Sequence, residues 1–471
     1  MNVDADNFFP VAGARVLVVG LARSGLAAAR FLVRRGAVVA ATDRAPAEAL
    51  AAAAAELAAL GVELHLGGHP AAAFEAAEAI VLSPGVPHEL PVLARARARG
   101  VPVVGELELA GRFIREPIVA VSGTNGKTTV TEMIGRMLAA SGRRVFVGGN
   151  IGTPLIGYAD RPEPAEVVVA EVSSFQLDTI VRFRPDVAVL LNITDDHLDR
   201  YADFEAYVRS KMRLFENQTA ADAAVLNGAD PAIRPRAAAI RARRLFYNAA
   251  GDPEAAAELA GGALRVRLPS GAAHAFTLEG FRLKGPHNLE NAAAAALAAL
   301  AAGASPAGVQ ETLTTFAGLP HRLETVATVG GVAYVNDSKA TNVDAVQRAL
   351  ECFERPVVLI MGGLDKGGDF TQLAAAVRAR VKRLILIGAA AGKIGAALAG
   401  SAPAAAAASM AEAVRRAAES ARPGEAVLLS PGCASFDMYA NYAARGEDFR
   451  RAVAALEAGE PAGARPESGA R

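Results

Sequence analysis

Apolar residues recur along this chain in short, mostly β-branched runs, and each run ends in a cluster of glycines and polar side chains. Runs of that kind read as parallel strands buried on both faces, with the loops after them carrying the chemistry. One stretch organises the rest. Ile118-Val-Ala-Val-Ser122 predicts a buried strand, Gly123-Thr-Asn-Gly126 a tight turn, and Thr128 onward a helix. Arg15–Gly20 and Val38–Asp43 predict two strands around an alanine-rich helix, a βαβ unit. Ile80–Ser83, Val145–Gly149, Val167–Glu171 and Val187–Leu191 continue the pattern. So do Val332–Asn336, Val357–Gly362, Leu384–Gly388 and Ala426–Ser430. Helices are expected over Phe204–Asn217 and from Asn288 through Ala302. Strands alternating with helices make this an α/β chain. No period of 20–50 residues marks a solenoid.

Composition narrows the picture. A length of 471 residues implies roughly two to four domains. The 49 basic and 49 acidic side chains cancel, so no basic surplus points to nucleic acid. Two cysteines, Cys352 and Cys433, are too few for a disulfide framework and fit a reducing cytoplasm. The acidic start, Met1–Asp6, lacks the order of a signal peptide. Alanine tracts such as Ala292–Ala302 are too short and too weakly apolar for a membrane span. The tail, Glu460–Arg471, reads as disordered.

The candidate chemistry lies at the strand ends. Gly123-x-x-Gly126-Lys127-Thr128-Thr129 is shorter than the standard phosphate loop, with only two residues between its glycines. It still directs backbone N–H groups and a helix N-terminus at one anion, with Lys127 for outer phosphates and the Thr128 hydroxyl for Mg²⁺. A plain strand-to-helix turn is the alternative. Asp43 follows Gly20 by 23 residues, where a dinucleotide fold holds a ribose, but Ala22 replaces the middle glycine. That disfavours NAD and leaves a loosely held nucleotide diphosphate, or a domain without a ligand there. Glu171 places a carboxylate in an apolar strand, which requires a partner or a metal. His197 follows Asp195 and Asp196 at a strand end and reads as part of a second, more tolerant metal site. By itself Lys211 reads as an exposed lysine. Asn288 and Asn291 share a helix face, for capping or for contact with a base. Arg322 sits in a hinge-like segment, and Asn336–Asn342 is dense in polar groups, as a ligand loop or a solvated turn.

Taken together, Gly123–Thr129, Gly148–Gly152, Glu171–Gln176, Asn192–His197 and Gly285–Asn291 resemble the Mur ligases, the ATP-dependent amide-forming enzymes of peptidoglycan precursor synthesis. Asp337–Asn342 and Leu428–Asp437 are similar to the branch that adds D-glutamate. The resemblance covers nearly the whole chain in order. It implies an α/β protein of three domains: a Rossmann-like UDP-binding domain (1–105), a central ATP-binding domain with a P-loop-type parallel sheet (106–318), and a Rossmann-like C-terminal domain (319–471) that holds D-glutamate and closes on ATP. It implies that Ser24, Asp43 and Asn150 meet the UDP-N-acetylmuramoyl-L-alanine substrate. Gly123, Thr124, Asn125, Gly126, Lys127, Thr128, Thr129, Asn291, Arg322 and Asp337 would hold ATP. Thr128 and Glu171 would ligate one Mg²⁺, and His197 with a carbamylated Lys211 a second; Lys127, His197 and Lys211 would be catalytic. Lys339, Thr341, Lys366, Ser435 and Phe436 would bind D-glutamate. A monomer in the cytoplasm, with neither nucleic acid nor membrane as partner, is expected. Rival readings are a ligase of the same superfamily adding another amino acid or a glutamyl tail to folate, a nucleotide-binding regulator without turnover, and an NAD dehydrogenase resting on Gly20–Gly25 alone.

Overall fold

The computed structural model describes residues 9–161, 163–196, 200–249, 251–283 and 285–458. His197 and the tail from Glu460 lie outside the described residues. Two compact units result: Met1–Ile193 with Tyr207–Glu279 and Ala292–Leu313, and Thr194–Ala206 with Gly280–Asn291 and Thr314–Arg471. No helix among the described residues is long and apolar enough to cross a membrane.

The first unit holds two sheets. Strands β1 (Arg15–Val19), β2 (Val38–Asp43), β3 (Glu63–Leu66), β4 (Ala79–Leu82) and β5 (Val103–Gly105) form an all-parallel sheet in the order β3-β2-β1-β4-β5. The order reverses at β1, so the loops after β1 and β4 part and leave a crevice at their C-terminal ends. The second sheet contains β6 (Ile118–Ser122), β7 (Val145–Gly149), β8 (Val167–Glu171), β9 (Val187–Leu190), β10 (Ala223–Asn227), β11 (Arg243–Tyr247), β12 (Ala255–Ala260), β13 (Ala263–Arg267) and β14 (Ala273–Thr277). Its order is β14-β13-β12-β11-β10-β9-β6-β8-β7. Pairing is parallel from β7 to β12, and β13 and β14 add antiparallel at the edge. β6 lies between β8 and β9 with every residue buried, which is why its sequence is apolar without alternation.

The second unit holds β15 (Glu324–Val329), β16 (Val332–Asn336), β17 (Val357–Gly362), β18 (Val381–Ile387), β19 (Ala404–Ala406) and β20 (Ala426–Leu429), in the order β15-β16-β20-β17-β18-β19. Only β15 is antiparallel. Alternate residues of β17 feed two cores: Leu359 and Met361 pack on one face, Val358 and Ile360 on the other. Because β16, β20 and β17 are neighbours, the polar loops that follow them converge at one end of the sheet.

The predicted strands are all present. The helix expected over 204–217 is α-helical only for Phe204–Met212, followed by a 3₁₀ turn at Arg213–Phe215. The first βαβ turn depends on Gly25. A Cβ there would sit 1.8 Å from the Gly20 carbonyl oxygen and 2.5 Å from Ser83 Oγ. Gly25→Ala is therefore expected to destabilise the first unit by about 3 kcal/mol. Gly68→Ala, where a Cβ would meet nothing within 4 Å, should stay within about 0.5 kcal/mol of the parent. Denaturant unfolding of the two variants measures the difference.

Candidate active site

The loop after β6 is shaped by two glycines that adopt positive φ, +147° at Gly123 and +88° at Gly126. Gly126 immediately precedes the helix Lys127–Ala140, whose positive end therefore faces the loop. The end of β9 clamps the turn. Thr124 N–H donates to the Asn192 carbonyl at 2.9 Å, Asn125 N–H to Asn192 Oδ1 at 2.8 Å, and Asn192 Nδ2 returns a bond to the Asn125 carbonyl at 3.1 Å. Lys127 Nζ donates to the carbonyls of Gly123 and Thr124, each at 2.8 Å, so its charge rests at the loop.

Glu171, at the end of β8, is 3% exposed and joins this loop to its surroundings. Its Oε2 accepts the Thr128 hydroxyl at 2.6 Å, and its Oε1 accepts the Asn150 side-chain amide at 2.8 Å. A hydroxyl and a carboxylate side by side at a helix N-terminus are the hard oxygen donors that Mg²⁺ takes, so the residues fit that ion. Lys211 overturns the plain reading of an exposed lysine. It is 1% exposed, donates to the Gly123 carbonyl at 2.8 Å, and lies 4.7 Å from the centre of the Tyr207 ring. Tyr207 in turn places its hydroxyl 3.2 Å from Thr124 Oγ1. The first unit thus brings together Gly123–Thr129, Glu171, Lys211 and Asn150. Thr129, also expected at the nucleotide, is buried at 1% exposure.

A cavity of about 410 Å³ opens beside this cluster. Ser24 in the helix after β1, Asp43 at the end of β2 and Ser83 after β4 line it, with Asn150 and Gln176 from the segments that follow β7 and β8. Asp43 joins two loops: its two oxygens accept Leu21 N–H, after β1, at 2.6 Å and Ala45 N–H, after β2, at 2.8 Å. Asn150 belongs to both places, lining the cavity while its amide holds Glu171.

In the second unit, Asp337 directly follows β16 and accepts the Ser430 hydroxyl at 3.0 Å and Leu323 N–H at 3.2 Å. Burial pushes its carboxyl up to about 7, against the pull of the Arg322 charge and those hydrogen bonds. His321 and Leu323, on either side of Arg322, both have positive φ (62° and 44°), so the hinge-like segment is a strained turn. Asn291 Nδ2 bonds Asn288 Oδ1 at 3.2 Å. Thr341 and Lys366 line a cavity of about 370 Å³, together with Asp196, Asn342 and Asp344. There Lys366 Nζ pairs with Asp196 Oδ1 at 2.9 Å, and Asn342 Nδ2 donates to Asp196 Oδ2 at 3.1 Å. Lys339, Ser435 and Phe436 are not among its lining residues. Ser435 is buried, whereas Phe436 is 69% exposed; the ring beside Lys339 is that of Tyr442, at 5.2 Å.

Sequence reading missed Arg445. Its guanidinium is 1% exposed and bonds Ser338 Oγ (3.0 Å) and O (2.8 Å), and the carbonyls of Cys433 (3.1 Å) and Ala434 (3.3 Å), with Gly362 O at 3.5 Å. It ties together the loops after β16, β17 and β20. Burial lowers its pKa to about 10, opposed by Cys433, Asp437 and Tyr439, so it stays charged at neutral pH. Its spacing held the signal, since Arg445, Phe449 and Val453 recur at i, i+4, i+8 on the buried face of one helix.

The raised Asp337 pKa has a consequence for stability. The native state keeps a proton that the unfolded chain has lost above its ordinary aspartate pKa, so this group makes stability fall as pH rises towards about 7. Urea unfolding at about pH 5 and about pH 8 should show a smaller loss for Asp337→Asn than for the parent. An unchanged difference would show that Asp337 is not buried and protonated as described.

Comparison with known families agrees with this layout. Residues 14–105 match the Mur ligase MurD-like N-terminal domain, 121–299 the Mur ligase middle domain, and 321–433 the Mur ligase glutamate ligase domain. A UDP-N-acetylmuramoylalanine–D-glutamate ligase of Desulfosudis oleivorans is 53% identical over 448 residues, 95% of this chain and 98% of that protein. Among solved structures, a pseudomurein peptide ligase type C from Methanothermus fervidus superposes with a TM-score of 0.60 at 20% identity, over 94% of this chain and 100% of the other. The MurF ligase of Thermotoga maritima in complex with ADP gives 0.56 at 18% identity, over 82% and 91%. The fold is theirs, and the chain belongs to the Mur ligase family, on its UDP-N-acetylmuramoylalanine–D-glutamate ligase branch.

Proposed function

We propose that this chain couples ATP cleavage to amide formation between UDP-N-acetylmuramoyl-L-alanine and D-glutamate, with the phosphate loop and Glu171 at the centre of the chemistry. The observation that carries the reading is the Glu171 carboxylate, shared between Thr128 in the loop and Asn150 in the cavity wall. Residues 1–105 would bind the UDP moiety near Ser24 and Asp43, 106–318 would bind ATP, and 319–471 would take D-glutamate. Gly123–Thr129, with Asn291, Arg322 and Asp337, would hold the nucleotide.

A carboxylate is a poor acyl donor until an oxygen is made a leaving group. The L-alanine carboxylate of the UDP-sugar attacks the γ-phosphorus of ATP, the bond to ADP breaks, and an acyl phosphate forms. Lys127 offsets the charge that spreads over the transferring phosphoryl oxygens. Mg²⁺, when bound, neutralises phosphate charge, and Thr128 and Glu171 are the residues that would hold it. The neutral amine of D-glutamate then adds to the acyl carbon. Phosphate leaves with the C–O electron pair, and the amide nitrogen loses a proton. Lys339 and Lys366 are suitable partners for the two glutamate carboxylates, with Thr341 and Ser435 as hydrogen-bond donors. Tyr442, next to Lys339, is a better aromatic wall than the exposed Phe436.

Lys211 would act as a carbamate: its neutral amine adds CO₂ and releases one proton, which turns a cation into an anionic oxygen ligand. With His197 it would complete a second metal site. The enzyme would work as a cytoplasmic monomer, where UDP-sugar and ATP are available.

Phosphate release with the UDP-sugar and ATP tests the reading. D-glutamate should be required, and L-lysine or meso-diaminopimelate should give none; the reverse pattern would overturn the assignment. Lys127→Ala should lower the rate by at least about 10³-fold. An unimpaired variant would remove the phosphate loop from the reaction.

A further inference from the structure

Glu106 takes no part in the chemistry above. It follows β5 directly, opens the short helix Glu106–Gly111, and is 1% exposed. Its Oε1 accepts Ile156 N–H at 2.7 Å. Leu155 N–H and the Gln176 side-chain amide also face the carboxyl, while Oε2 has no hydrogen-bond partner. A carboxylate kept dry with one oxygen unpaired is a costly way to fill a core position. Burial pushes it up to about 7 despite the pull of the two backbone N–H groups and the amide. Its contacts therefore matter more for the geometry they impose than for the stability they add.

The segments it touches are those that reach the 410 Å³ cavity. Ile156 follows the loop that carries Asn150, and Gln176 is itself a lining residue. Gln176 is oriented from its other end, since Oε1 accepts Ser173 N–H and Oγ–H, both at 2.9 Å. Its NH₂ group is left for Glu106. The backbone reinforces the junction. Gly105 N–H reaches the Thr179 carbonyl at 3.4 Å, and a Cβ on Gly105 would lie 2.1 Å from Thr179 Oγ1. The end of β5 is thus pressed onto the turn that presents Gln176.

We propose that Glu106 is a positioning residue for the UDP-linked substrate: its carboxyl fixes the Ile156 backbone by a hydrogen bond and faces the Gln176 amide, and in this way sets Asn150 and Gln176 in the cavity wall. The inference rests on assigning that cavity to the UDP-linked substrate.

Steady-state kinetics with each substrate varied in turn test it. Glu106→Ala should raise KM for the UDP-sugar about tenfold, with KM for ATP and D-glutamate within about twofold and kcat within about threefold. Glu106→Gln keeps an acceptor for Ile156 N–H and should recover most of the loss, to about threefold. A fall in kcat with all three KM values unchanged, or a wild-type KM for the UDP-sugar in Glu106→Ala, would overturn the proposal. If Glu106→Ala does not fold, calorimetric titration of Glu106→Gln with the UDP-sugar decides: about threefold weaker binding supports it, and parental binding overturns it. Ser24→Trp, which fills the cavity, separates the two claims. An unchanged KM there overturns the cavity assignment and this inference together. A raised KM there, with Glu106→Ala at the parental value, overturns this inference alone.

Discussion

The rest of the first unit depends on how the Glu171 carboxylate divides its two oxygens. One goes to the hydroxyl of Thr128 at the start of a helix, the other to the amide of Asn150 in a cavity wall. Neither donor alone would justify a carboxylate that is 3% exposed. Together they fix the distance between the glycine-rich turn after β6 and the wall of the 410 Å³ cavity. The sheet order makes this possible, because β8 lies between β6 and β7 and so delivers Glu171 between the loops that follow its two neighbours. Buried strands that admit only apolar residues thereby set polar groups with little freedom to move.

A comparable constraint operates in the second unit with the opposite charge. Arg445 arrives from a helix, not from the sheet, and its guanidinium donates to the Ser338 hydroxyl and to the carbonyls of Ser338, Gly362, Cys433 and Ala434, at and beyond the ends of β16, β17 and β20. One buried cation thus meets several carbonyls at once. The loops so gathered include Asp337-Ser338-Lys339 and Cys433-Ala434-Ser435, the stretches that distinguish the D-glutamate branch in the sequence. The shape of these loops is thus enforced by a residue outside the motif.

The parallel strands named from the sequence were legible because strands buried on both faces are apolar without interruption, and the turns after them are rich in glycine; β3, β5, β10, β11 and β19, also parallel, were not picked out. Nor were the edge hairpins. Ala255-Ala-Ala-Glu-Leu-Ala260 has the composition of a helix, yet it pairs with β11 and β13 as a strand. The Gly261-Gly262 pair that follows is a two-residue hairpin turn and was the available clue. Lys211 was legible only through family resemblance, because its burial comes from packing against Tyr207 and the Gly123 carbonyl, which lie elsewhere in the sequence. Phe436 fits the motif by type but points outward, and Tyr442 stands where an aromatic meets Lys339. Glu106 carried no sign beyond a charged residue at the end of an apolar strand. Its importance depends on two segments some 50 and 70 residues further along.

The central claim is that the phosphate loop and the cavity wall act through one carboxylate. A double-mutant cycle on kcat/KM for the UDP-sugar measures this, with Thr128→Ala, Asn150→Ala and the pair in the full-length enzyme. Both side chains bond Glu171, so their effects should be coupled by about 1 kcal/mol or more, the second substitution costing less once the first is made. Effects that add to within about 0.3 kcal/mol would mean that Glu171 does not join the two sites.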